Sequence, residues 1–309
     1  MVVMSGGFVA IDWGSSNFRA YRVGASGELL DRLATAEGVA NLDRDGMARA
    51  VDEVVSRWPT EANALFCCGM IGSTVGWAEV PYLTCPIHPD EIARQMTSMT
   101  IAGNVVQVSP GLTCRSTNGF PDVIRGEEVL CLGVVRRTER LQSGLGLLCM
   151  PGTHTKWIAI RNGVVGSFST SLVGELYEAL SASSLLKNHL KGVARDEEEF
   201  RLGVNSGHSG GGLMRTLFGV RSRSVVKELA DDAAASFASG ILIGNDIRDA
   251  MNVYSELIDA GPVVLIGETN LCALYRAALQ HLGHDAVVTP SEDVCVEGFR
   301  FIHDMIGRR

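Results

Sequence analysis

Two short segments of this chain place small hydrogen-bonding residues directly after an apolar run. Asp12-Trp13-Gly14-Ser15-Ser16-Asn17 follows Phe8-Val9-Ala10-Ile11, and Pro151-Gly152-Thr153-His154-Thr155 follows Gly146-Leu147-Leu148-Cys149-Met150. Glycine lets a backbone come close to an anion, and free N–H groups with Ser/Thr hydroxyls supply donors. Two such turns facing each other across a cleft would grip a polyphosphate from both sides. Asp12 ends the first apolar run just before its turn. A carboxylate aimed at bound phosphates is repelled unless a divalent cation lies between, so Asp12 is a candidate anchor for Mg²⁺ held largely through water. An Asx-turn role for Asp12 is the structural alternative. A third candidate is Val263-Val264-Leu265-Ile266-Gly267-Glu268-Thr269, which reads as strand, glycine, helix start. Ligands of open α/β sheets lie at such corners, where Gly267 would admit an adenine or ribose.

The elements that must carry these residues are legible in outline. The first forty residues read as three strands in a meander, with a helix over 46–57 and a buried strand over 64–68. A loop-rich stretch runs from Gly69 to Pro86, and 126–136 has helical spacing. Residues 146–170 repeat the opening pattern: strand, polar turn, strand, the hairpin dipeptide Asn162-Gly163, and a third strand. Aligning Gly14 with Gly152 also pairs Ser15 with Thr153 and Asn17 with Thr155. This is the signature of a duplication at domain scale. From 172 to 254 the pattern is helical, with the glycine-rich stretch 205–212 expected to be a flexible connector. The tail alternates strand and helix, which implies a parallel part of a sheet. The division expected is a first domain over 1–140 and a second over 141–309, with a helical insertion over about 172–235 and a hinge near 136–146.

Composition narrows the function classes. The chain has 309 residues, 46% hydrophobic and 20% charged, which is enough for two packed cores. A net charge of -8 without a Lys/Arg cluster argues against a nucleic-acid surface. No run reaches membrane-spanning length and the N-terminus does not read as a signal peptide, so a cytoplasmic protein is expected. The eight cysteines form neither CxxC pairs nor zinc-ligand spacings, and reduced buried thiols are the simplest reading. A P-loop, a protein-kinase glycine loop and a Rossmann GxGxxG after the first strand are all absent.

What remains is the architecture of the actin, hexokinase and sugar-kinase group, and there the resemblance becomes specific. Asp12-Trp13-Gly14-Ser15-Ser16-Asn17-Phe18-Arg19-Ala20-Tyr21 resembles the phosphate-1 segment of 2-dehydro-3-deoxygalactonokinases. Asp122-Val123-Ile124-Arg125-Gly126-Glu127-Glu128, Pro151-Gly152-Thr153-His154-Thr155-Lys156-Trp157 and Gly174-Glu175-Leu176-Tyr177 extend the match over nearly the whole chain. The chain departs from the family pattern at Ser15-Ser16, where Thr-Thr is expected, and at Ser183, where a His is common.

The resemblance implies two actin-like ATPase (ribonuclease H-like) α/β domains with a nucleotide cleft between them. ATP, with Mg²⁺ near Asp12, would phosphorylate the terminal hydroxyl of a 2-keto-3-deoxy sugar acid. Gly14, Ser15, Ser16, Gly152, Thr153, His154, Lys156 and Gly267 are the implied nucleotide contacts. A carboxylate must take the hydroxyl proton, and both Asp122 and Glu127 fit, with a lean to Asp122. Arg125 is the first candidate for the substrate carboxylate, ahead of Arg19 and Arg115. Met70, Ser73, Trp77 and Tyr82 would line the sugar pocket. Rival readings are a kinase for another sugar or sugar acid, such as the gluconate epimer, and a non-catalytic nucleotide-binding regulator. The presence of Asp12, Asp122 and Glu127 favours an enzyme. Oligomeric state, a homodimer included, is left open.

Overall fold

A computed structural model describes residues 6–307. The chain divides into two compact units. The first takes in the described chain up to Gly144, together with Arg161–Ser167 and the chain from Ser291 on, and the second takes in Leu145–Ile160 and Phe168–Pro290.

The first unit opens with β1 (Phe8–Trp13), β2 (Phe18–Val23) and β3 (Leu29–Thr35), then α1 (Arg44–Arg57) and β4 (Leu65–Gly69). It continues through β5 (Tyr82–Thr84), α2 (Pro89–Arg94), β6 (Thr97–Ile101), β7 (Asn104–Val108), β8 (Gly111–Arg115), β9 (Pro121–Ile124), α3 (Glu127–Arg137) and α4 (Glu139–Ser143). The main sheet has the order β3-β2-β1-β4-β7-β6, and β5, β8 and β9 form a small second sheet. β1 runs antiparallel to β2 and parallel to β4, which runs parallel to β7. Asp43 caps α1 by accepting the Gly46 N–H at 2.8 Å. The helix then buries Met47, Ala50, Val51 and Val54, a one-face spacing, in a core with Ile11, Trp13 and Phe18.

The second unit holds β10 (Leu145–Met150), β11 (Thr155–Arg161) and β12 (Val164–Ser171) apart from the tip of their hairpin over Arg161–Ser167, then α5 (Val173–Ser183), α6 (Glu198–His208), α7 (Leu213–Val225), α8 (Ala234–Asp259), β13 (Val263–Leu265), α9 (Thr269–His281) and β14 (Ala286–Val288). Its sheet order is β12-β11-β10-β13-β14, with β13 parallel to both β10 and β14. Third, second and first strand, then a parallel fourth and a further parallel strand, is the order in both units. The repeated sequence pattern therefore has a repeated topology. Asn162 and Gly163 turn β11 into β12 with φ of 51° and 78°, the left-handed pair that a two-residue hairpin requires. Among the described residues no helix is long and apolar enough to cross a membrane. All eight cysteines are free thiols, and every one except the half-buried Cys85 is buried.

Two expectations need correction. The last helix, α10 (Ser291–Gly307), belongs with the first unit and not with 141–309. His303 stacks on Phe8 with ring centroids 4.8 Å apart, and Glu297 and Asp304 hold Arg136 of α3 at 2.6 and 3.2 Å. The glycine-rich stretch 205–212 is helical through His208, leaving only Ser209–Gly212 as connector. Its Gly207 serves packing: a Cβ there would lie 2.1 Å from the Ile241 carbonyl oxygen. Residues 97–124, for which the sequence reading assigned no elements, form two hairpins.

The contact of α6 with α8 explains those glycines. A Cβ on Gly203, Gly240 or Gly244 would also lie 2.1 to 2.2 Å from a backbone oxygen of the facing helix. Two glycines four apart on each helix thus bring the backbones together, as small residues do wherever helices pack closely. Gly240→Ala should lower stability by about 1–3 kcal/mol, the cost of overpacking. Gly219→Ala, on the same unit's α7 with nothing within 4 Å of the new methyl, should be neutral or stabilising by up to about 1 kcal/mol. Denaturant melts of the two variants beside the parent check this, and equal midpoints would contradict the packing role.

Candidate active site

Each unit ends its first strand in a turn backed by a second stretch of backbone, which donates to a carbonyl of the turn. In the first, the Gly14 N–H donates to the Asn17 carbonyl at 2.9 Å. The Gly14 and Ser15 carbonyls accept from Val39 and Ala40 N–H, both at 3.0 Å. In the second, the Thr153 carbonyl accepts the Glu175 N–H at 2.9 Å. Gly38 and Gly174 make these approaches possible. A Cβ on Gly38 would lie 2.2 Å from the Ser15 oxygen, and one on Gly174 would lie 2.4 Å from the Gly152 oxygen. Each glycine stands three residues beyond the third strand of its unit. With the carbonyls engaged behind the turn, the Ser15 and Ser16 N–H groups, and those of Thr153 and His154, keep no partner among the described residues. All four residues are exposed. This is the form of a backbone anion nest.

The second turn adds side chains. His154 Nε2 lies 2.6 Å from Glu175 Oε2. Thr155 is buried and accepts the Tyr275 hydroxyl at 3.2 Å, which fixes the start of β11. Lys156 is half-buried on that strand. Gly267 stands where a Cβ would come within 2.7 Å of the Pro151 oxygen, so it lets the turn pack against the β13–α9 corner. Beside the turn opens a cavity of about 380 Å³, lined among others by Gly174, Tyr177, Ser239, Glu268, Asn270 and Leu271. These glycine-bounded contacts and the adjoining cavity fit a nucleotide.

In the first unit three carboxylates gather at the carboxyl ends of β1 and β4. Asp12 pairs in register with Arg19, whose Nη1 lies 3.1 Å from Oδ2, and the Cys68 thiol donates to Oδ1 at 3.9 Å. Gly126 sits at φ +108°, with a notional Cβ 3.3 Å from Gly69 Cα, and brings the N-terminus of α3 against β4. Glu127 then accepts the Arg125 N–H at 2.9 Å and Glu128 the Gly126 N–H at 2.6 Å. Burial raises the Asp12 carboxyl above its ordinary range, against the pull of Arg19, and the charge of Glu127 adds to the rise. Glu128 is fully buried, its Oε1 has no hydrogen-bond partner, and burial pushes its carboxyl up to about 8. Among the described residues no cluster of three or more His, Cys, Asp or Glu is arranged to hold a metal. Asp12 alone fits a cation that keeps most of its waters, and a cation would relieve the repulsion between Asp12 and Glu127.

The remaining candidates separate. Asp122 lies on β9 opposite Cys114, five residues before α3, and its Oδ1 accepts the Val123 N–H at 2.8 Å. It is therefore a strand residue, whereas Glu127 is the residue adjoining Asp12. Arg125 donates from Nη2 to the Val80 carbonyl at 2.7 Å and from Nε to the Tyr82 hydroxyl at 3.2 Å, with its guanidinium 4.1 Å over the Tyr82 ring. Its Nη1 is buried without an acceptor. Ser73 is buried and donates to the Met70 carbonyl at 2.7 Å. Trp77 packs on the first unit's core, donates its indole N–H to Thr100, and carries Arg44 over its ring. Arg115 holds the Gly119 carbonyl of the β8–β9 turn at 2.8 Å. Gly38, Gly174 and Glu175 are site residues that composition and motif spacing did not single out for a role. A glycine at the same distance past the third strand of each repeat was the available signal.

Comparison with known proteins agrees with this arrangement. The sequence model described as 2-keto-3-deoxy-galactonokinase matches residues 12–302. The 2-dehydro-3-deoxygalactonokinase of Escherichia coli strain K12 is 31% identical over 299 residues, covering 97% of this chain and 98% of its own. A crystal structure of a candidate 2-dehydro-3-deoxygalactonokinase from Sinorhizobium meliloti superposes with a TM-score of 0.88 at 29% identity, covering 97% of this chain and 99% of that one. Component A of the (R)-2-hydroxyglutaryl-CoA dehydratase of Acidaminococcus fermentans shares the fold, with a TM-score of 0.50 at 13% identity, covering 99% of this chain and 100% of that one. The twice-used turn, the carboxylates at the ends of β1 and β4, and these matches place the chain in the 2-keto-3-deoxy-galactonokinase family.

Proposed function

We propose that the protein transfers the γ-phosphoryl group of ATP to the terminal hydroxyl of 2-keto-3-deoxy-galactonate, giving ADP and the 6-phosphate. The observation that carries this reading is the convergence of Asp12 and Glu127 at the carboxyl ends of two parallel strands, beside an anion-binding turn, in a member of this family. Each of the turns at Gly14–Ser16 and Gly152–His154 offers N–H donors suited to phosphate, and in the second unit Gly267 borders the nucleoside. Asp12 would hold Mg²⁺ through water, and the cation would supply charge neutralisation to the transferring group.

Glu127 is the base. It orients the attacking hydroxyl and receives its proton as the oxygen bonds to phosphorus and the bond to the β-phosphate breaks. Arg125 presents the sugar acid with a guanidinium whose Nη1 lacks an acceptor, and a carboxylate is the acceptor that suits it. Arg125 also ties Val80 and Tyr82 together, which keeps the loop from Met70 to Tyr82 in place. A reaction among small metabolites fits a cytoplasmic enzyme.

The reading is tested by ADP release with MgATP and 2-keto-3-deoxy-galactonate, run beside the gluconate epimer and glucose. Turnover confined to the galactonate form is expected. Turnover with glucose alone would discard the substrate, and none with any of them would discard the kinase.

The base assignment separates two variants. Glu127→Gln should lose at least about 10²-fold in kcat with little change in KM for ATP, while Asp122→Asn should stay within a few-fold of the parent. The reverse ranking would return the role to Asp122.

Glu128 gives a pH prediction. Its folded-state carboxyl lies above the unfolded value, so folding favours the neutral form. The stability this gives is fully present below the ordinary carboxylate range and is lost as pH climbs from about 5 to about 8. Glu128→Gln should remove that slope from the thermal midpoint, and an unchanged slope would place the titration elsewhere.

A further inference from the structure

We infer that Asp246 of α8 is the positioning residue of the second turn, which it holds against its backing stretch through Ser171 and Tyr275. This rests on the reading that the turn holds the phosphates of a nucleotide.

Each turn needs its backing stretch kept at one distance, and the two units meet that need differently. In the first, Trp13 donates its indole N–H to the Glu37 carbonyl at 3.0 Å. Trp13 directly precedes Gly14, and Glu37 directly precedes Gly38. The backing stretch is thereby pinned to the strand end that carries the turn. The residue at the position of Trp13 in the second unit is Pro151. Its side chain has no hydrogen-bonding group, so this pin cannot be made there.

The second unit has a buried carboxylate instead. Asp246 is 5% exposed and lies midway along α8. Its Oδ1 accepts the hydroxyl of Ser171, the last residue of β12. Its Oδ2 accepts the Trp157 indole N–H and the Tyr275 hydroxyl, both at 2.8 Å. The same Tyr275 hydroxyl lies 3.2 Å from Oγ1 of Thr155, the first residue of β11. Ser171 stands three residues before Gly174, and Thr155 two residues after Thr153. One carboxylate therefore fastens both segments that meet where the Glu175 N–H reaches the Thr153 carbonyl.

Filling the core does not call for such a group. Burial raises the Asp246 carboxyl above its ordinary range, and its three hydrogen bonds draw it back toward the ionised form. Well-packed apolar residues stabilise an interior as well or better without that cost. A buried network whose members are all bonded holds them in one arrangement, and the members here are the two flanks of the turn. Losing one link would let the flanks shift, and the N–H groups of Thr153 and His154 would lose their common aim.

The test is calorimetry of MgADP binding to Ser171→Ala and Tyr275→Phe, each of which deletes one hydroxyl and leaves the packing around it in place. Each should weaken MgADP binding and raise KM for ATP by about tenfold, the worth of a hydrogen bond to a charged group, with KM for the sugar acid unchanged. Asp246→Asn combined with Tyr275→Phe should lose less than the two single losses added, because both act on one link. Gly203→Ala strains the α6–α8 contact at Phe237 and Gly240; it should lower the thermal midpoint and keep the parent's MgADP affinity. Gly174→Ala, which pushes the backing stretch off the turn, should weaken MgADP binding. Ser171→Ala and Tyr275→Phe that melt earlier yet bind MgADP as the parent does, or an equal loss of affinity in Gly203→Ala, overturn the positioning role alone. Unimpaired MgADP binding by Gly174→Ala, or none by the parent, overturns the phosphate assignment of the turn as well.

Discussion

A turn that offers its N–H groups to an anion must dispose of its carbonyls elsewhere, because an oxygen turned toward the same anion would cancel the attraction. In both units the solution is a second stretch of backbone brought up behind the turn. That approach is so close that a methyl group would sit little more than 2 Å from a carbonyl oxygen. Gly38 and Gly174 are thus the condition for the two nests, and the strand order of each sheet sets their place. The third strand runs beside the second, and the chain leaving it passes behind the turn that joins the first two. Gly267 and Gly126 extend the same constraint to the β13–α9 corner and to the start of α3.

The carboxylates in the first unit follow from a second constraint, the cost of burying charge. The charge of Glu127 adds to the burial that raises the Asp12 and Glu128 carboxyls above their ordinary range, and each of the three finds partial relief. Asp12 has Arg19 and a thiol, and Glu127 and Glu128 have backbone N–H groups of the turn that precedes them. Relief is least complete at Glu128, where one oxygen is buried without a partner and burial pushes the carboxyl up to about 8. A neutral Glu128 lowers the local charge that a phosphate would meet. Buried polar groups left unpaired are costly, and such a group at the mouth of a site is explained by function more readily than by folding.

Much of this was legible in the sequence because it is local. The strands flanking each turn alternate or run apolar over a few residues, and Asn162-Gly163 can hardly form anything but a hairpin. What escaped depends on partners distant in the chain. The return of α10 to the first unit is invisible until His303 meets Phe8. Gly203, Gly207, Gly240 and Gly244 form two evenly spaced pairs, yet without a partner helix Gly207 reads as part of a flexible stretch. Asp122 and Glu127 were indistinguishable by composition, and five residues put one on a strand and the other at a helix N-terminus beside Asp12. Arg125 and Trp77 show the reverse difficulty: their residue types suggested ligand contacts, and much of their bonding capacity is spent on Val80, Tyr82 and Thr100.

Duplication gives two copies of one scaffold, and the differences between the copies show how their tasks diverged. Where the first unit has Asp12, the second has Met150; where the second has His154, the first has Ser16. The copy with the carboxylate carries, at its α3 N-terminus, the groups suited to a cation and to a leaving proton. The copy without it keeps an uncharged strand end and adds an imidazole beside the turn. A carboxylate at position 150 would oppose phosphate binding at the second turn, and an imidazolium at position 16 would compete with a cation near Asp12. The shared backbone tolerates either chemistry, and electrostatics decides which side chains each copy can keep.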